Sequence, residues 1–144
     1  MPANAFTIGK DRTLDIIDPN LGPQRFKILT GFEAAPQYNS LESKGLDGVP
    51  RFDNTPHGHK LTFQLDRADG RAEKYFAGRE RDYFNGLVVP LVSITETTTE
   101  IDGSVTVFRY TGVSLQLTSS GASRGDAITT QTIEGMASRK VQVS

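Results

Sequence analysis

Few residues in this chain have the types and spacing that chemistry needs. Both histidines, His57 and His59, stand in "DNTPHGHKL" with Asp53 just upstream. On an extended segment residues two apart share a face, so the three could outline a two-histidine, one-carboxylate metal site. No further ligand sits at a fixed spacing, and solvent-facing loop histidines are the simpler reading. Ser114, Ser119 and Ser120 have neither a nucleophile elbow nor a recognisable base nearby. Carboxylates are scattered without the paired pattern of a glycosidase. "GASRGD" precedes a strand, whereas phosphate-cradling glycine loops feed a helix. The tripeptide Arg124–Asp126 matches an adhesion motif, but it reads better as a β-turn. The expectation is a non-enzyme with no catalytic residue, no metal and no cofactor.

Composition narrows the class further. The chain has 144 residues, enough for one domain with one core, and a formal net charge of -1 gives no global pull toward nucleic acid or an anionic membrane. Cysteine is absent, which removes disulfides, thiolate metal sites and cysteine nucleophiles together. The first residues, "MPANAFTIGKDRTLD", lack the pattern of a signal peptide, and no window approaches the roughly 18 apolar residues of a membrane span. A soluble protein made inside a cell is expected. Hydrophobic residues make up only 36%, a lean core that suggests sheet surface or edge completed by other copies.

Elements must position whatever function there is. "TLDII" from Arg12 onward and "QRFKILTGF" flank the turn "DPNLGP" and read as a hairpin, with Phe26 and Ile28 on one face and Arg25 and Lys27 on the other. The stretch Glu33 to His59 carries three prolines and three glycines without periodicity, and reads as a long ordered loop. Lys60 to Asp66 alternates cleanly, with Leu61, Phe63 and Leu65 inward. Asp66 or Asp69 can cap a helix over Gly70 to Phe84, whose Ala72, Tyr75, Phe76, Arg79 and Tyr83 form one stripe, with Asn85-Gly86 as the stop. The helical spacing of Tyr75, Phe76, Tyr83 and Phe84 favours core over a base-stacking platform.

"LVVPLVSITETTTE" and "VTVFRYTGVSLQLT" form a hairpin about "IDGS", with Pro90 at an edge or bulge and a phase change around Phe108 to Gly112. "AITTQTIEGM" and "RKVQV" are the last strands. The fold expected is mainly β: a β-sandwich or barrel of about seven strands with one flanking α-helix and a long inter-strand loop. From Thr95 to Glu100 the strand is polar on both faces, which suits the end of a hairpin stabilised by neighbouring chains.

In the order of its parts the chain resembles the tail tube proteins of bacteriophages, an architecture shared with the type VI secretion tube. The resemblance spans most of residues 1–144: the N-terminal hairpin, the long loop, the helix "DGRAEKYFAGRERDYFNG", the hairpin "VSITETTTEIDGSVTVFRYTGVSLQLTSSG" and the closing "ITTQTIEGMASRKVQV". It implies a single domain of β-sandwich fold that self-assembles into stacked hexameric rings, a virion tube made in the bacterial cytoplasm that conducts the genome. Tail sheath, tape-measure protein, baseplate and tail terminator would be its partners, DNA would pass without specific binding, and no membrane would be involved. Loop 33–59 becomes the assembly element, with Gln37, Tyr38, Leu41, Leu46, Val49, Arg51 and Phe52 contacting the next ring. Thr62, Gln64, Glu96, Thr98 and Gln116 become lumen-facing, and Glu96, Thr98, Glu100 and Asp102 a subunit-interface hairpin. The alternatives are a tail terminator or baseplate-hub subunit of the same fold, or a monomeric β-sandwich that binds carbohydrate, a reading that needs exposed strand aromatics where the strands offer only Phe108 and Tyr110 as a close pair.

Overall fold

A computed structural model describes residues 12–20, 22–24 and 29–144. The placement of Phe26 and Ile28 opposite Arg25 and Lys27 lies outside the described residues. Eight strands and one helix follow in the order β1 (Arg12–Asp18), β2 (Gly22–Gln24), β3 (Leu29–Lys44), β4 (Pro50–Asp66), α1 (Arg71–Phe84), β5 (Val92–Thr99), β6 (Val105–Ser119), β7 (Thr130–Ala137) and β8 (Arg139–Gln142). All pairings are antiparallel, in the order β2-β1-β5-β6-β7-β4-β3, with β8 also on β6.

The sheet folds over within β6. Its first half pairs with β5 and β8, and its second half, Ser114–Ser119, pairs with β7. The bend is the expected bulge: the ladder slips between Ile94↔Tyr110 and Val92↔Val113, and Gly112 sits there at φ +62. A Cβ at Gly112 would come within 2.6 Å of Ser138 Oγ, so glycine lets β6 pass close to the connection between β7 and β8. Between the layers lie Ile16, Leu61, Phe63, Leu65, Val92, Ile94, Tyr110, Val113 and Ile133, all buried.

The helix begins at Arg71, with Gly70 as an N-cap that makes no side-chain capping bond, and ends where its sequence signals place it. Asp69 Oδ1 accepts the Arg71 N–H, Ala72 and Tyr75 are buried, and Gly86 at φ 76 ends the turn after Asn85. Tyr75 donates to buried Asp18 Oδ2 at 2.7 Å, and Arg79 Nη1 meets the same oxygen at 2.9 Å while Nη2 reaches Pro90 O at 2.7 Å. Burial, and then the hydrogen bond to Asp18, push the Tyr75 hydroxyl up to about 12. One side chain thus pins the helix to β1 and to the segment leading into β5. Tyr83 and Phe84, expected in the core with Tyr75 and Phe76, are instead exposed.

The largest departure from expectation is residues 33–59, which form no loop. They belong to one long hairpin in which β3 pairs with β4 from Leu29↔Leu65 to Lys44↔Pro50. The alternation is missing because the distal half projects past the core and has no inner face to keep apolar. Its prolines are tolerated because both distal strands are edges, where a missing donor breaks no ladder. The segment expected as the second strand of the N-terminal hairpin divides: Gly22–Gln24 pairs with β1, whereas Leu29–Phe32 belongs to β3 and pairs with β4.

Candidate assembly surfaces

The distal half of the β3–β4 hairpin is an arm. Beyond the bulge at Pro36/Tyr38 its ladder runs through Tyr38↔Pro56, Ser40↔Asn54, Glu42↔Phe52 and Lys44↔Pro50, roughly 25 Å of extended ribbon. Gly58 makes the bulge at φ +94, and a Cβ there would lie 2.6 Å from Ala137 O. Tyr38, Leu41, Leu46, Val49 and Phe52 are all exposed on the arm, Leu46 and Phe52 at 112% and 72%. The turn is held locally: Asp47 accepts from the Val49 N–H at 3.0 Å and from Arg51 Nη2 at 2.9 Å, bonds that hold its carboxyl below the usual range. A two-stranded ribbon exposing this much apolar surface gains little by folding alone.

The second surface is the outer face of the layer β3-β4-β7-β6. Register places Glu33, Thr62, Glu134 and Gln116 in one row across the strands, with Gly31, Gln64 and Thr132 on one side of it and Lys60, Met136 and Ser114 on the other. This face carries Glu33, Glu134 and Asp66 against Lys60, so it is polar and mildly acidic. Its inner side carries Phe32, Phe63, Ile133 and Leu117. Among the described residues the layer ends in two free edges, the outer side of β3 and the Ser114–Ser119 segment of β6 opposite β7. Two unpaired edges flanking a one-sided polar sheet are what a ring of joined sheets requires.

No family model matches the sequence, and no curated protein matches it. Solved structures do. The tube-terminating cap of the anti-feeding prophage superposes with a TM-score of 0.63 at 14% identity, over 100% of this chain and 95% of that one. The sheath-tube complex of the extended PVC contractile injection system gives 0.57 at 17% identity, over 91% and 88%. The tail of an empty GTA particle, refined helically with C6 symmetry, gives 0.57 at 11% identity, over 96% and 100%. The chain has the tail-tube fold.

Within the tail-tube fold the expected site residues divide. Thr62, Gln64 and Gln116 share the outer polar face, and Glu33 and Glu134 join their row without having been expected there. Glu33 was hidden in the supposed loop, and Glu134 becomes legible only once the β6–β7 register is known. Glu96 and Thr98 are buried at 4% and 7%, so they face neither a lumen nor a partner. They point into the chain because "TETTT" does alternate, with polar residues taking the inner positions. Glu96 Oε2 accepts from the Tyr110 hydroxyl at 3.2 Å, and Arg12 Nε lies 3.8 Å from Oε1. Burial and the Glu96 charge push the Tyr110 hydroxyl upward. Asp102 is occupied in its own turn, accepting from the Ser104 N–H and hydroxyl at 2.9 and 2.6 Å, which lowers its pKa. Glu100 closes the same turn through its backbone.

The remaining motifs resolve locally. His57 lies 3.4 Å from Asn39 Nδ2, while half-buried His59 stacks edge-on to Tyr110, and burial holds His59 below 6.5. Among the described residues no cluster of three or more metal-ligating side chains exists. Arg124–Asp126 sits in a turn closed by the Ala127 N–H on Arg124 O at 2.8 Å. No described helix is long and apolar enough to cross a membrane.

Proposed function

We propose that this chain is a non-catalytic structural subunit of a phage-like tail, forming hexameric rings that stack into a tube through which a genome or other cargo passes. The observation that carries this reading is the four-stranded layer with a polar outer face and, among the described residues, a free edge on each side. Pairing the β6 edge of one copy with the β3 edge of the next supplies the missing ladder and continues the polar face around a lumen. The neighbour with C6 symmetry supports six copies per ring, and the sheath-tube neighbour supports an outer sheath as partner. The arm, with Tyr38, Leu41, Leu46, Val49, Arg51 and Phe52, spans to the adjoining ring. The lumen residues are Glu33, Thr62, Gln64, Glu134 and Gln116. Tail components such as a baseplate and tape-measure protein are the remaining partners, and the virion tail is the location.

Negative-stain electron microscopy of purified protein tests the proposal: six-fold rings or tubes are expected, and a monomer at every concentration refutes it. A second reading, a terminator that caps the tube, is favoured by the closer superposition on the tube-terminating cap, 0.63 against 0.57 for the tube complex. A terminator stops at single rings, whereas a tube subunit polymerises.

A further inference from the structure

Two exposed apolar surfaces of this chain have no cover within it. The arm presents Leu46 and Val49 at its turn and Phe52 beside them. At the other side of the molecule, the last turn of α1 and the segment after it present Tyr83, Phe84, Leu87 and Val88 at 69%, 75%, 59% and 84% exposure. Tyr83 and Phe84 form an edge-to-face pair with centroids 5.3 Å apart, a preformed aromatic ledge. The ledge adjoins a groove of about 700 Å³ between α1 and β6, with Phe76, Leu91 and Leu115 in its wall. The arm belongs to β3 and β4, whereas the groove beside α1 borders β6, on the far side of β7.

We propose that the arm tip of one copy docks on the α1 ledge of another copy, Leu46 and Val49 packing against Tyr83, Phe84 and Val88. The inference rests on the reading of the arm as an assembly element and names the surface that receives it. Each chain carries one arm and one ledge, so a head-to-tail contact consumes both in every copy and propagates without a second protein. Charge agrees with the pairing. Lys44 lies next to the arm turn and Glu80 lies one helical turn before Phe84, and neither has an ionic partner among the described residues, whereas Arg51 is already paired with Asp47. The contact would set this opposite pair at the rim of an aromatic and aliphatic centre, the usual anatomy of a specific interface.

The cysteine-free chain makes the test clean. The double variant Leu46→Cys with Val88→Cys is assembled, checked by electron microscopy and oxidised. A disulfide-linked ladder of multimers on a non-reducing gel is expected, with no ladder from either single variant or from Leu46→Cys with Ile128→Cys, since exposed Ile128 lies off the ledge. Val49→Cys with Leu87→Cys is the second pair should the first fail to assemble. Rings or tubes without a ladder from both pairs, or a ladder with Ile128→Cys instead, overturn the docking site and leave the tube reading standing. A chain that is monomeric in the microscope and gives no ladder overturns both.

Discussion

Asp18 ties the helix to the first strand. Its carboxylate, 2% exposed, takes the Tyr75 hydroxyl and the Arg79 guanidinium on one oxygen, and Arg79 is itself largely buried. Neutralising one member of such a pair leaves the other charge uncompensated in a poor solvent. Asp18→Asn should therefore cost about 3 kcal/mol in denaturant unfolding, within the range for broken buried pairs. A change within error would show that the pair contributes only geometry. Glu73 makes a different prediction. Arg67 donates to it at 2.6 Å and Gln131 at 2.7 Å, and the Arg67 bond chiefly holds its carboxyl below the ordinary 4.5. A depressed carboxyl contributes stability that is present above 4.5 and lost as pH falls through the lower folded value. Thermal unfolding followed from pH 6 downward should show a shallower acid limb in Glu73→Gln than in the parent; identical limbs would exclude the effect.

Among the elements, the arm tests the link between exposure and order. Its ladder hydrogen bonds are solvated on both faces from Asn39 to Thr55, so its amides should exchange fast in a free subunit and slowly after assembly, whereas those of Leu61, Phe63 and Ile133 stay protected in both. Equal protection of the arm in both states would remove its role in assembly. Gly58 is the arm's hinge: at φ +94 and against Ala137 O, Gly58→Ala should cost about 2 kcal/mol in unfolding and tilt the arm. The contrast between β4 and the arm also shows what a sequence displays. Leu61, Phe63 and Leu65 alternate because one face of β4 is buried there, and the strand is legible. Eight residues earlier the same strand has no buried face, and Pro50, Pro56 and Gly58 make it read as loop. Glu96 was misread for the complementary reason: polarity suggested exposure, while Tyr110 and Arg12, distant in sequence, satisfy it inside.

At the scale of the whole molecule, the outer sheet face and its two edges make the final prediction. A conduit for nucleic acid must not hold the phosphates that pass it, and in the proposed tube Glu33 and Glu134, which flank Thr62 in one cross-strand row, would set that condition. Repeated around the proposed ring, they would form a band of carboxylates that repels DNA at separations within a Debye length, about 10 Å at 0.1 M salt. Reversing them as Glu33→Lys with Glu134→Lys leaves the inner core and both edges untouched, so rings and tubes should still form. The interior would then present a basic band, and each ring would neutralise phosphates and release counterions. Assembled variant tubes should retain short double-stranded DNA in sedimentation at low salt and lose it steeply as salt rises, while parent tubes retain none at any salt. Equal retention by parent and variant would mean that this face does not line the channel, and the joining of β6 to β3 would have to turn the sheet the other way.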